Sequence, residues 1–263
     1  RLGQVATRLT PSQRWEDAVY PDDVAAQLAE IIARARHGRT VLDGWGFARK
    51  LDRGLGTTVL LSGPPGTGKT MAAGLLAAEL GLDLYQVDLA RITSKYLGET
   101  EKQLAELFAA AEAGTALLLF DEADALLAKR TEVKSANDRY ANLGTNYLLQ
   151  RLERFAGIAV LTTNHAHALD DALRRRIAVH IELAPPTARE RATLWRRVLP
   201  ADAPIADDVD ADRLGREFEL AGGAIRNAAL RAAYLAADAG HALDHAVLER
   251  AARLERAALG RVG

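Results

Sequence analysis

Gly63-Pro64-Pro65-Gly66-Thr67-Gly68-Lys69-Thr70 stands between two contrasting stretches. Before it, Thr57-Thr58-Val59-Leu60-Leu61-Ser62 is short, apolar and β-branched. After it, Met71-Ala72-Ala73-Gly74-Leu75-Leu76-Ala77-Ala78-Glu79-Leu80 has a helical pattern. Strand, glycine loop and helix in that order, with the spacing G-x-x-x-x-G-K-T, make a phosphate-binding loop. Gly63, Gly66 and Gly68 let the backbone turn so that successive N–H groups face phosphate oxygens. Pro64, Pro65 and Thr67 complete the nucleotide-binding set. The helix N-terminus adds a partial positive charge. Lys69 can reach the β- and γ-phosphates, and the Thr70 hydroxyl can ligate Mg²⁺. The competing reading, a chance glycine turn before a helix, does not account for the full motif in its strand–loop–helix context.

The 263 residues are enough for one large or two small domains. Lys and Arg number 34 against 35 Asp and Glu, a net charge of -1, so no bulk attraction to DNA, RNA or an anionic membrane is expected. There is no cysteine, which removes disulfide and zinc–thiolate chemistry and fits a cytoplasmic protein. No apolar run has the length of a membrane span, and no signal peptide is visible. The chain begins at Arg1 rather than methionine, so it is expected to be a fragment with an upstream segment missing.

Residues 1–23 are mixed and polar, and Val24 to His37 reads as an amphipathic helix with Val24, Leu28, Ile31, Ile32 and Ala35 on one face. Five strands are expected: Val59–Ser62, Leu84–Leu89, Ala116–Asp121, Ile158–Thr163 and Val179–Leu183. Leu117-Leu118-Leu119-Phe120 is continuously apolar, as in a parallel strand covered on both faces. Helices separate the strands, so the class is α/β, a five-stranded parallel sheet flanked by helices. One such helix is marked by a Thr100/Gln103 capping box, with Leu104, Leu107, Phe108 and Ala111 following on one face. Pro185-Pro186 marks a break. Thr187 and Glu190 form another capping box, opening a helix through Leu199. Further helices are expected near Ala211–Glu217, Ala224–Ala237 and Leu243–Leu259. The division is therefore 1–186, a large α/β nucleotide-binding domain, and 187–263, a small all-helical one.

The apolar strand Leu117–Phe120 ends in Asp121-Glu122, at the sheet edge where open parallel sheets bind ligands. Asp121 can hold Mg²⁺, and Glu122 can polarise the water that attacks a γ-phosphate. Acidic residues after a strand often cap a helix or face solvent; the upstream phosphate loop reverses that preference. Leu161-Thr162-Thr163-Asn164 closes the next strand with an amide that can orient the water or contact the γ-phosphate. A strand-end Asn serving a turn is the plain alternative.

These residues resemble the AAA+ ATPase family, in its AAA branch. The resemblance rests on Gly63–Thr70, on Phe120-Asp121-Glu122-Ala123-Asp124, and on Asn164 at the sensor 1 position. Leu169-Asp170-Asp171-Ala172-Leu173-Arg174-Arg175-Arg176 is similar to the segment bearing arginine fingers, and Gly222-Gly223-Ala224-Ile225-Arg226 to a sensor 2 motif in a helical lid. Asp17-Ala18-Val19 is similar to the segment lining the adenine, with Val19 the contact. The resemblance implies ATP with Mg²⁺ and a homo-oligomeric ring, usually a hexamer, with ATP between neighbouring subunits. Arg175 and Arg176 are then the finger candidates. The family's usual pair of residues between the last two arginines is missing, which leaves open which of Arg174, Arg175 and Arg176 plays which part. Many members lack an arginine at the position of Arg226, which here would sense the γ-phosphate.

Lys95-Tyr96-Leu97-Gly98 matches the family's pore loop of aromatic, aliphatic and glycine. In a ring Tyr96 would line the channel and grip an extended peptide; otherwise it packs onto its own domain. Lys129 to Asn142 is polar and lies where a second pore loop is expected. That stretch, with Gly222–Ala237, is similar to ATPases encoded with contractile injection systems, which implies injection-system components as partners. The leading expectation is an ATP-driven threader or remodeller of protein substrates. A DNA-directed machine of clamp-loader or helicase type is the alternative, disfavoured by the near-neutral charge. An ATP-binding assembly scaffold is the third reading, and it leaves Glu122, Asn164 and the arginines without a purpose.

Overall fold

A computed structural model describes residues 6–50, 56–89, 97–124, 148, 150–152, 154–164 and 177–260, with residues 97–101 and 103 described by backbone alone. The chain packs as two units, taken in turn. The first comprises Arg1–Ser12, Asp22–Gly63 and Lys69–Leu183. Its strands are β1 (Ala6–Leu9), β2 (Thr57–Ser62), β3 (Asp83–Val87), β4 (Ala116–Phe120), β5 (Ile158–Thr163) and β6 (Val179–Glu182). They form one sheet in the order β1-β3-β4-β5-β2-β6.

The five expected strands are all present and parallel to their neighbours among themselves. The sixth, β1, lies antiparallel on β3, with Ala6 opposite Val87 and Leu9 opposite Leu84. It falls in the stretch that reads as mixed and polar. An edge strand needs few apolar residues: Ala6 is buried, Thr7 and Arg8 are exposed, and Arg8 pairs with Asp83 at 2.6 Å. The central strands explain their own sequences. Every residue of β4 and β5, and all of β2 beyond Thr57, is buried, so these segments show no alternation of apolar and polar residues, and β4 is apolar throughout. At the far edge β6 alternates, with Val179 and Ile181 inward and His180 and Glu182 outward.

Helix α1 (Asp22–Arg39) buries Val24, Leu28 and Ile31, a helical stripe. Helix α2 (Lys69–Leu80) starts at the lysine of the glycine loop. Helix α3 (Leu97–Glu112) begins three residues before Thr100, so Thr100 lies within its first turn and the expected Thr100/Gln103 box is not its N-cap. The buried face of α3 is the expected one, Leu104, Leu107, Phe108 and Ala111. Phe108 meets Phe155 edge-on with centroids 5.0 Å apart and stacks on Phe120 at 6.3 Å. Truncating a ring of this cluster to Ala would cost ~3–5 kcal/mol.

This order places the carboxyl ends of β4, β5 and β2 side by side. Phe120 is registered with Leu161, and Leu61 and Ser62 with Thr162 and Thr163. Whatever follows these three strands is gathered at one sheet edge.

The second unit comprises Gln13–Pro21, Pro64–Gly68 and Ala184–Gly263. Its helices are α4 (Ala188–Val198), α5 (Ala211–Glu217), α6 (Gly222–Ala239) and α7 (His245–Leu259). Thr187 and Glu190 do form the expected reciprocal capping box at α4. Asp210 caps α5 through the Arg213 N–H, and Asp244 caps α7 through the Val247 N–H. Gly240 ends α6 in the left-handed region at φ 72°, where a side chain is disfavoured. Trp195, Leu214, Ile225, Ala228 and Leu248 fill the core of this unit. Arg191 is buried there, its guanidinium donating to the carbonyls of Gly215 at 2.8 Å and Pro186 at 2.7 Å, which offsets the cost of desolvating its charge. Among the described residues, no helix is long and apolar enough to cross a membrane.

Candidate nucleotide site

In the first unit, the glycine loop leaves β2 at Gly63. Its φ is 143°, and a Cβ there would lie 2.1 Å from the Leu183 carbonyl oxygen, so only glycine fits. Lys69, the first residue of α2, is buried to 9 % exposure. Its Nζ donates to the Gly63 carbonyl at 2.6 Å and to Asn164 Oδ1 at 2.9 Å. Burial pulls the Lys69 ammonium below its ordinary pKa; the carboxylates of Asp121, Asp124 and Glu122 oppose that. One residue onward, the Thr70 hydroxyl lies 3.2–3.3 Å from both oxygens of Asp121.

Asp121 and Glu122 leave β4 directly. Asp121 is half-buried and Glu122 is exposed. Glu122 has φ 51°, the one positive φ among the described non-glycine residues. For an L-residue this conformation costs roughly 1–2 kcal/mol, so the surroundings must hold it. Thr162, at the end of β5, does so. The Glu122 N–H donates to Thr162 Oγ1 at 3.0 Å, and the Ala123 N–H to the Thr162 carbonyl at 2.8 Å. The Thr162 hydroxyl donates to Asp121 Oδ1 at 2.6 Å, and Gln86 Nε2 donates to Asp121 Oδ2 at 3.2 Å. Thr163 Oγ1 donates to Asp124.

The first unit therefore brings Gly63, Lys69, Thr70, Asp121, Glu122 and Asn164 to one sheet edge. Thr162 and Gln86 belong to the same cluster and are absent from the sequence expectations. The one sequence sign for Thr162 is that two threonines end an otherwise aliphatic strand, which does not show what their hydroxyls touch. Gln86 had none, since a polar residue near a strand end is ordinary.

The second unit holds the loop apex, Pro64 to Gly68. The Thr67 hydroxyl donates to the Pro64 carbonyl at 2.9 Å, and the Gly223 N–H to the Gly66 carbonyl at 3.3 Å. The Tyr20 hydroxyl donates to the Gly68 carbonyl at 3.0 Å. Burial raises the Tyr20 phenol above its ordinary pKa, which keeps it a neutral donor. Gly66 has φ 79° and Gly68 φ 95°, so both glycines are conformationally required. Val19 is half-buried beside Ala18, whose carbonyl accepts from Arg197. Gly222 and Gly223 open α6, and Arg226 is exposed one turn later.

Lys95, Tyr96, Arg174, Arg175, Arg176 and the stretch Lys129 to Asn142 lie outside the described residues. Leu97 and Gly98, expected in a pore loop, are the first two residues of α3.

The donor set fits a nucleotide with Mg²⁺. A buried ammonium and the start of a helix suit phosphate oxygens, and a hydroxyl beside a carboxylate is the hard-oxygen pair Mg²⁺ takes. No separate cluster of three or more metal-ligating side chains exists among the described residues.

Comparison with known proteins agrees. Residues 59–185 match the model of the ATPase family associated with various cellular activities (AAA), and residues 187–261 match that of the contractile injection system ATPase helical domain. The chain is 33% identical to ATP-dependent zinc metalloprotease FtsH 3 of Sphaerobacter thermophilus over 234 residues, 86% of this chain and 46% of that protein. It is 31% identical to spastin of Xenopus laevis over 219 residues, 80% of this chain and 34% of that protein. It is 36% identical to the cell division cycle protein 48 homolog of Archaeoglobus fulgidus over 160 residues, 59% of this chain and 22% of that protein. The chain thus spans less than half the length of each of these relatives. A family match over the α/β residues 59–185, whose strand ends gather Lys69, Asp121, Glu122 and Asn164, and an adjoining match over the helical residues 187–261 place the chain in the AAA family of ATPases, with the helical domain of the contractile injection system ATPases.

Proposed function

We propose that the chain is a ring-forming ATPase that couples ATP hydrolysis to remodelling or threading of a protein substrate, in assembly or disassembly of a contractile injection system. The observation that carries the hydrolytic part is the convergence of Lys69, Thr70, Asp121, Glu122 and Asn164 at one sheet edge. In this reading the division into 1–186 and 187–263 separates a nucleotide-binding domain from a lid. Lys69 and the loop N–H groups bind the phosphates. Thr70 and Asp121 would hold Mg²⁺, which when bound would supply neutralisation of charge on the phosphate oxygens. Glu122, exposed at its strand end, takes the proton from the attacking water, and the Asn164 amide orients that water. Arg175 or Arg176 of a neighbouring subunit contributes on the order of 10³–10⁵ in rate, as arginine fingers do. Arg226 answers to the γ-phosphate and Val19 to the adenine. Both assignments follow from family resemblance.

Protein threading rests on the Lys95–Gly98 motif and on the helical domain matched at residues 187–261. The test adds three polymers to the purified chain at equal mass: an unfolded protein, a protein of an injection particle, and single-stranded DNA. Stimulated turnover with the proteins is expected, together with its loss in Tyr96→Ala while basal turnover persists. Stimulation by DNA alone would overturn the reading in favour of a nucleic-acid machine.

A further inference from the structure

We propose that Thr162 is a positioning residue of the hydrolytic site, one hydroxyl that sets Asp121 and Glu122 together. The proposal rests on the reading of Asp121 as Mg²⁺ ligand and Glu122 as base. Thr162 is 1 % exposed and registered with Leu61, one residue beyond the Leu161–Phe120 pair. A hydroxyl carries one hydrogen and two lone pairs. Here the hydrogen goes to Asp121 Oδ1 at 2.6 Å and one lone pair receives the Glu122 N–H at 3.0 Å. The roles are forced, because a carboxylate only accepts and a backbone N–H only donates.

Other groups touch Asp121 without this property. Gln86 and Thr70 reach its carboxylate, and neither has a described bond to Glu122. Thr162 bonds both residues, and Glu122 is the residue whose backbone departs from the ordinary regions, at φ 51°. The Thr162 carbonyl adds a third bond, from the Ala123 N–H at 2.8 Å. The Glu122 carboxylate therefore points where it does because a threonine on the adjacent strand pins its peptide. Without the hydroxyl, the peptide relaxes toward negative φ and swings the carboxylate. Asp121 loses its shortest described hydrogen bond at the same time.

Thr162→Val keeps the shape and removes both bonds; Thr162→Ser keeps both bonds and removes a methyl group. Three quantities separate positioning from structure: kcat, the Mg²⁺ concentration for half-maximal turnover, and nucleotide affinity measured in chelator. For Thr162→Val, kcat should fall on the order of 10–100-fold and the Mg²⁺ demand should rise several-fold, as when a partner of a metal ligand is removed. Chelator-phase nucleotide affinity should stay near wild type, since Gly63–Thr70 is untouched. Thr162→Ser should restore kcat and Mg²⁺ demand to near wild type.

Wild-type kcat in a folded Thr162→Val overturns the proposal, as does Thr162→Ser failing as badly as Thr162→Val. If Thr162→Val does not fold, Thr162→Ala takes its place; failure of both to fold makes the residue structural and overturns the proposal too. Glu122→Gln run alongside separates the levels. Wild-type turnover in Glu122→Gln sinks the assignment of the base and this inference with it. An inactive Glu122→Gln beside a wild-type-like Thr162→Val sinks this inference alone.

Discussion

Lys69 Nζ lies 2.9 Å from Asn164 Oδ1, a direct bond between the first residue of α2 and the residue that follows β5. The two are 95 positions apart in sequence, and the parallel pairing of β2 with β5 is what makes them neighbours. The pair predicts a split in phenotype. Lys69→Ala deletes the ammonium that faces the phosphates and should abolish ATP binding. Asn164→Ala leaves that charge in place and should bind ATP, while kcat falls on the order of 10²-fold, the usual loss for one preorganised polar group. Titration with a fluorescent ATP analogue beside steady-state turnover checks both. Equal loss of binding in the two variants would show that Asn164 serves only to hold Lys69.

Glu122 predicts a dissociation of stability from activity. Glu122→Gln should fold, bind ATP and lose on the order of 10²–10⁴ in kcat, the contribution of a general base. Glu122→Gly should be equally inactive, yet its melting temperature should stay near that of wild type or rise. Relief of φ 51° returns roughly 1–2 kcal/mol, and the added freedom of glycine in the unfolded chain takes back roughly 0.5–1 kcal/mol. A large drop in melting temperature for Glu122→Gly would mean that the side chain, not the backbone, holds this turn.

Gly63 gives the opposite case. An alanine Cβ there would sit 2.1 Å from the Leu183 carbonyl oxygen, and the backbone on both sides is held by the Gly63 N–H to Thr163 and the Leu183 N–H to Ser62. Neither partner can retreat without breaking the β2 pairings. Gly63→Ala should destabilise the fold by roughly 2–4 kcal/mol, seen as a drop of ~5–15 °C in melting temperature. Gly81, with open space around it, is the control for glycine substitution at positive φ. Gly81→Ala should lose much less, since it adds backbone strain without a clash.

The sequence was legible where one residue type has one physical use. The glycine loop, the buried strands and the Thr187/Glu190 cap each announce themselves through a pattern that chemistry makes narrow. β1 was not legible, because an edge strand that buries little needs no apolar signature. The start of α3 is not legible either, because Thr100 and Gln103 have cap spacing without standing at a cap. Thr162 was hidden for another reason. Its hydroxyl matters only through strand register, and no local pattern in Leu161–Asn164 reveals that Asp121 lies across from it.

The last prediction concerns assembly. If Arg175 and Arg176 act on a neighbour's ATP, Glu122 and the arginines that serve one reaction belong to different chains. Specific activity should then fall on dilution as rings dissociate. Glu122→Gln and the double variant Arg175→Ala/Arg176→Ala should each be inactive alone. Mixed in equal amounts, they form interfaces at random, and an interface is competent only where an intact Glu122 meets intact arginines. In a head-to-tail ring that is roughly a quarter of all interfaces, so the mixture should recover activity up to about that fraction of wild type. Fingers acting within their own chain give no recovery at any mixing ratio, because every subunit would carry one defect at its own site. The measurement is turnover against mixing ratio at fixed total protein, with sizing by light scattering to show that both variants still assemble. A flat, inactive curve from assembled mixtures rejects the trans arrangement.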